Sequence, residues 1–119
     1  MTVNETLKII EKLIELTQHK KLIWSNYYGK ISLPSNEKID SAYVTQYLDQ
    51  NIRVYKYFYQ YWTDEETCHW LEDVRFEFYS RVTGGTSYAF PTAPNTKELL
   101  ETIMYQNSGV ENFYNQIFK

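Results

Sequence analysis

Ile52-Arg53-Val54-Tyr55-Lys56-Tyr57-Phe58-Tyr59-Gln60-Tyr61-Trp62 decides the fold. It is dense in β-branched and aromatic residues, the types that fit a pleated surface. Its odd positions carry Arg53, Tyr55, Tyr57, Tyr59 and Tyr61; its even positions carry Ile52, Val54, Lys56, Phe58, Gln60 and Trp62. Side chains alternate faces along a strand, so four tyrosines project from one side in a row. Burying their hydroxyls demands a partner for each, and an orphan costs roughly 1–3 kcal/mol. The even side needs only one concession, Lys56, whose ammonium can extend to water. The even face is therefore expected to pack on helices and the tyrosine face to meet solvent.

Outward from this strand, residues 41–48 (SAYVTQYL) read as a second strand, joined through Asp49-Gln50-Asn51 as a short hairpin connection. Tyr43 and Tyr47 share one of its faces. On the other side, Thr63-Asp64-Glu65-Glu66-Thr67 is an acidic loop, and residues 70–82 alternate again. Trp70, Val74, Phe76, Phe78 and Val82 share one parity, while Asp73, Arg75, Glu77, Tyr79 and Arg81 share the other. Such alternation marks one buried and one wet face. In register, the wet face would carry up to seven tyrosines. Arg75, Glu77 and Arg81 are expected there as exposed ion pairs, worth ~0–1 kcal/mol each. Thr83-Gly84-Gly85-Thr86 reads as a tight turn before a short return strand at Tyr88-Ala89-Phe90. Residues 22–33 look extended, with a turn near Gly29-Lys30.

Helices flank the strands. Residues 2–21 place Val3, Leu7, Ile10, Ile14 and Thr17 at helical spacing behind a Thr2/Glu5 capping box. Asn95 with Glu98, and Ser108 with Glu111, open two further helices at residues 96–106 and 109–118. Segregated helices and strands indicate α+β. The expected fold is one domain over residues 1–119: an antiparallel four- to five-stranded β-meander packed by an N-terminal helix and two C-terminal helices.

The chain has 119 residues, a formal net charge of −3 and an aromatic content of 18%. This much apolar area disfavours disorder. A mildly acidic chain is a poor ligand for duplex DNA, whose affinity rests on phosphate neutralisation, and Arg is scarce. Abundant Tyr, Ile, Lys, Asn and Phe with little Ala reflect AT-rich codons, and so suggest a low-GC bacterium, its phages or its plasmids. No apolar run is long enough to span a membrane, and the charged N-terminus does not resemble a secretion signal. The cytoplasm is the expected compartment.

Catalytic constellations are not evident. One cysteine, Cys68, permits neither an internal disulfide nor a multi-Cys zinc site. Cys68 and His69 are adjacent, which on a strand points them apart. His19 sits where a cation favours a helix C-terminus. The acidic residues of 64–77 lack the ligand spacing of a calcium loop. The Gly84-Gly85 pair lacks the Lys-Ser/Thr of a phosphate loop. No catalytic residue, metal or cofactor is expected.

Lys20-Lys21-Leu22-Ile23-Trp24, leading from a helix into a strand, and the closing amphipathic Leu99-Leu100-Glu101-Thr102-Ile103 resemble the layout of small, mostly uncharacterised bacterial and mobile-element α+β proteins. The resemblance spans most of the chain and implies a fold type but no activity. The expected function is that of a small non-catalytic interaction protein, phage- or plasmid-encoded, inhibiting a partner protein such as a bacterial defence component. Its contact face would be Tyr55, Tyr57, Tyr59, Tyr61 and Tyr79, rimmed by Arg53 and Arg75. The alternative is a small-molecule or nucleotide-binding module whose tyrosines stack on a planar ligand, with a homodimer as a further form of either.

Overall fold

Strands joined by short turns pair with their neighbours. The computed structural model, covering residues 1–119, shows such a meander. β1 (Ser25–Asn26), β2 (Glu37–Tyr47), β3 (Gln50–Trp62), β4 (Cys68–Tyr79) and β5 (Thr86–Ala89) lie in sequence order in one antiparallel sheet. Helices α1 (Val3–Gln18), α2 (Thr96–Asn107) and α3 (Val110–Ile117) complete the α+β architecture expected from the sequence. The extended stretch 22–33 contributes only the two residues of β1. β2 begins earlier than expected because Glu37 and Ile39 pair with Tyr59 and Tyr57.

The β2–β3 turn has two residues, Leu48 and Asp49, at φ 50° and 64°. Positive φ at both central positions matches the twist of a tight hairpin, although neither residue is glycine. A bulge between Ile39 and Ser41 shifts the register of β2. It gives Lys56 two residues to face, Asp40 and Ser41, so that Ile39 and Glu37 come to lie beside Tyr57 and Tyr59. Between the bulge and the turn, the two-residue connection, one residue shorter than the expected Asp49-Gln50-Asn51, sets Val44 and Ala42 beside Arg53 and Tyr55, whereas Tyr43 and Tyr47 lie on the opposite side and pack against the core. The expected seven-tyrosine face is thereby corrected: these two are not on it.

The Thr2/Glu5 capping box forms as read, with the Thr2 hydroxyl accepting from the Glu5 amide at 3.1 Å. α1 stops at Gln18, short of the expected residue 21. Lys20 adopts φ 59° while the amide of Lys21 bonds the carbonyl of Leu16 and that of Lys20 bonds Thr17, the pairing of a Schellman stop. The later caps differ from expectation. Asn95 donates its amide to the Leu7 carbonyl instead of capping α2, and the Ser108/Glu111 box is replaced by Gly109 at φ 76°.

Ile10, Leu13 and Ile14 of α1 and Leu99, Leu100 and Ile103 of α2 meet Ile52, Val54, Val74 and Phe76 of the sheet. Phe90 stacks on Phe76 at 4.2 Å between ring centres. Trp24 is buried and donates its indole N–H to Thr17. Gln106 ties α2 to this corner by accepting from the Trp24 amide and donating to the carbonyls of Leu22 and Thr17. The even positions Ile52 and Val54 thus face the helices, as parity predicts. α3 buries no residue and takes no part in this core. No helix is long and apolar enough to cross a membrane.

Candidate functional site

The face of the sheet opposite the helices has two halves with different fates. In the inner half, Arg53 lies opposite Glu77 and Tyr55 opposite Arg75 on β3 and β4. Arg53 and Glu77 are both 0% exposed and form an ion pair, Arg53 Nε donating to Glu77 Oε2 at 2.9 Å. Arg53 Nη1 donates to the Gly84 carbonyl at 2.9 Å, and the guanidinium lies over the rings of Tyr27 and Tyr79. The Thr86 hydroxyl and the Tyr55 hydroxyl supply the remaining donors to Glu77. A buried charge pair survives only with such additional hydrogen bonds. The lid is made by Tyr27, whose ring meets Tyr79 at 5.6 Å, and by the turn at Gly84. At Gly84 a side chain would approach the Lys30 carbonyl at 3.1 Å, and φ is 75°.

Tyr55 is 1% exposed and Tyr79 9%. The expectation that the whole stripe meets water is therefore corrected for Arg53, Tyr55 and Tyr79: they form a second, polar core. Glu77 is likewise no surface ion-pair partner. The physical reason is that the two charges and one phenol satisfy one another, which removes the desolvation objection to burying the hydroxyl. Burial pushes the Tyr55 phenol above its ordinary pKa, although the Arg75 hydrogen bond opposes the shift. Burial also raises Tyr79.

Arg75 marks the boundary. Its Nη1 donates to Glu37 Oε1 at 3.3 Å and to the Tyr55 hydroxyl at 3.2 Å, and its guanidinium lies 4.2 Å from the Tyr57 ring centre. Burial works against its charge, but the hydrogen bond to Tyr55 and the neighbouring phenols and Glu37 outweigh it, so its pKa is raised. Beyond this point nothing is buried: no residue of β3 after Tyr55, and none of β4 before Val74. Tyr57 and Tyr59 are half-buried with rings 6.0 Å apart, and Tyr61 is exposed.

The opposite side of this outer half is uncovered as well. There Trp62 and Trp70 stand 55% and 44% exposed, while on the tyrosine side Tyr61 and Leu71 stand 54% and 41% exposed. Sequence parity placed Trp62 and Trp70 on the helix-facing side but could not show that the helices end first. The signal was present in the lengths. The 13 residues of β3 span about 44 Å at ~3.4 Å each, against about 24 Å for the 16 residues of α1 at ~1.5 Å each. Lys56 sits at the end of the covered stretch, within 3.7 Å of Asp40 and 3.5 Å of Glu72, with Lys97 of α2 4.0 Å from the same Glu72.

The outer edge of β4 is open along this end. β5 pairs only with Glu77, Phe78 and Tyr79, and the Phe76 carbonyl accepts from Phe90. Strand backbones alternate sides, so Val74, Glu72, Trp70 and Cys68 also direct their amides and carbonyls outward. The Val74 amide is taken by the Asp73 carboxylate at 2.8 Å; the three further out have no strand beside them. At the tip, Asp64 accepts from the amides of Glu66 and Thr67, which hold its carboxyl below the ordinary value. Cys68 is half-buried, His69 is exposed, and acidic, His and Cys side chains nowhere gather in threes. His19 is the C-cap residue of α1. No protein-family model, no curated protein and no solved structure matches this chain.

Proposed function

We propose that the chain is a small non-catalytic protein-binding module whose contact element is the projecting end of the β3–β4 hairpin. The observation that carries this reading is the exposure of Tyr61, Trp62, Trp70 and Leu71 on both faces of a hairpin that outruns its helices. Large, stiff aromatic side chains with polar tips are the residues on which protein interfaces concentrate their affinity. Tyr57, Tyr59 and Arg75 extend the contact inward. Arg53 and Tyr55 act from beneath, tying β3 to Glu77 and Arg75 of β4 and to the turn at Gly84, with Tyr79 packed over Arg53.

The partner chemistry follows from the edge and the tip. Outward backbone groups at Cys68, Trp70 and Glu72 fit an extended segment laid alongside β4. Asp64, Glu65 and Glu66 at the tip favour a basic surface. In the cell we propose that this contact is inhibitory, the protein being a phage- or plasmid-borne antagonist that covers a component of a bacterial defence system. The composition rich in Tyr, Ile, Lys and Asn supports a mobile, low-GC origin.

The test is quantitative binding after affinity capture from a low-GC bacterial host. A Tyr61→Ser, Trp70→Ser variant should lose the captured protein by about a hundredfold in affinity while melting at the wild-type temperature. Undiminished capture by that variant refutes the hairpin as the contact element. Thermal stabilisation by nucleotides, with no protein captured, would favour the planar-ligand reading instead.

A further inference from the structure

We infer that the protein is a two-fold dimer joined by the apolar stripe of α3. Val110, Phe113, Tyr114, Ile117 and Phe118 recur at positions i, i+3, i+4, i+7 and i+8, which is one continuous face of a helix. Each is between 48% and 73% exposed, and α3 buries nothing. An amphipathic helix ordinarily turns such a face inward. Here it does not: every residue of α3 is exposed, and its one ionic tie to the body is an exposed contact from Glu111 to Lys20 at the end of α1, 3.3 Å away. Gly109, at φ 76° with open space around its α-carbon, sets the corner that swings the stripe away from α2. The Tyr114 and Phe118 rings are already packed at 5.0 Å.

An eight-residue helix is too short to persist in water without burying a face. Its occupant is argued from area and charge. With ~200 Å² for each aromatic side chain, the exposed stripe amounts to roughly 600 Å² per copy, or about 1,200 Å² for a symmetric pair, the lower bound of a specific interface. Two copies can bring these stripes together without like charges meeting. The helix carries a single acid, Glu111, already paired with Lys20, and its other polar residues are Asn112, Asn115 and Gln116. A membrane surface calls for Lys and Arg along the flanks of the stripe, and α3 has neither. The contact is therefore isologous, with α3 lying on α3 and Phe113 and Tyr114 near the axis.

Sedimentation equilibrium of the full chain tests this directly. The expected mass is twice the 14.3 kDa of the chain at micromolar concentration. Phe113→Glu with Ile117→Glu should return a monomer, weakening association about a hundredfold or more, while the tertiary near-ultraviolet signal of the core is retained. Trp62→Ser with Trp70→Ser should leave the dimer mass unchanged. A wild-type monomer at high micromolar concentration overturns the inference. So does a dimer that survives the α3 substitutions, one lost with the hairpin pair, or a monomer that floats with phosphatidylcholine or phosphatidylglycerol vesicles.

Discussion

Arg53 and Glu77 show how a residue's neighbours, not its type, decide where it lies. Each is expensive to bury alone, and together they are held by Tyr55, Thr86 and the Gly84 carbonyl. Removing one partner strands the other. Arg53→Met or Glu77→Leu should therefore cost about 3–5 kcal/mol in urea unfolding, and the two together should cost far less than the sum. A double variant that loses the full sum of the two single losses would show that the pair is not coupled. The phenols beside it give a pH signature. Burial raises Tyr55, Tyr57 and Tyr79 above the ordinary value of 10.0. Folding favours their neutral forms, so this contribution to stability is whole below pH 10 and is lost as pH climbs through the raised values. Alkaline absorbance titration should show a late-ionising fraction that coincides with unfolding, and Tyr55→Phe should diminish it.

Among the elements, the β2–β3 hairpin carries an avoidable cost. Leu48 and Asp49 both hold positive φ, where residues with a Cβ are strained by roughly 1–2 kcal/mol each. Leu48→Asn with Asp49→Gly should raise stability by about 1 kcal/mol, read as a higher melting temperature with an unchanged sheet signal in circular dichroism. Destabilisation would mean that the exposed Leu48 side chain earns its place by packing. The β3–β4 hairpin owes its character to length. Strand pairing satisfies its backbone well past the point where helices can bury its faces, and the rings of Tyr55, Tyr57 and Tyr59 follow one another along β3 at 6.1 and 6.0 Å. α3 is the inverse case, an apolar stripe with nothing of its own chain to lie on.

Over the whole molecule, 57 Å along its longest axis, two cores share one sheet: an apolar one under α1 and α2, and a polar one under Tyr27 and Gly84. The three tryptophans sample this plan. Trp24 is 2% exposed, whereas Trp62 and Trp70 lie on the uncovered end. Iodide should quench most of the wild-type fluorescence. The residual emission of a Trp62→Phe, Trp70→Phe variant should be blue-shifted and shielded. Wild-type emission that resists iodide would mean that the hairpin end is covered in solution, by a second copy or by a different packing of the chain.

Element order, strand pairing and the helix-facing side of β3 were legible in the residues, because alternation and capping are local properties. Thr2 with Glu5 and the parity of Ile52, Val54, Val74 and Phe76 needed nothing beyond their own neighbours. The fate of the tyrosine stripe was not local. It depended on a two-residue turn at Leu48-Asp49 that set Tyr43 and Tyr47 on the other face, and on Arg53 meeting Glu77 across 24 residues of chain. Neither partner's burial is affordable until both are in place, so only the tertiary arrangement could divide the stripe into an interior half and a surface half.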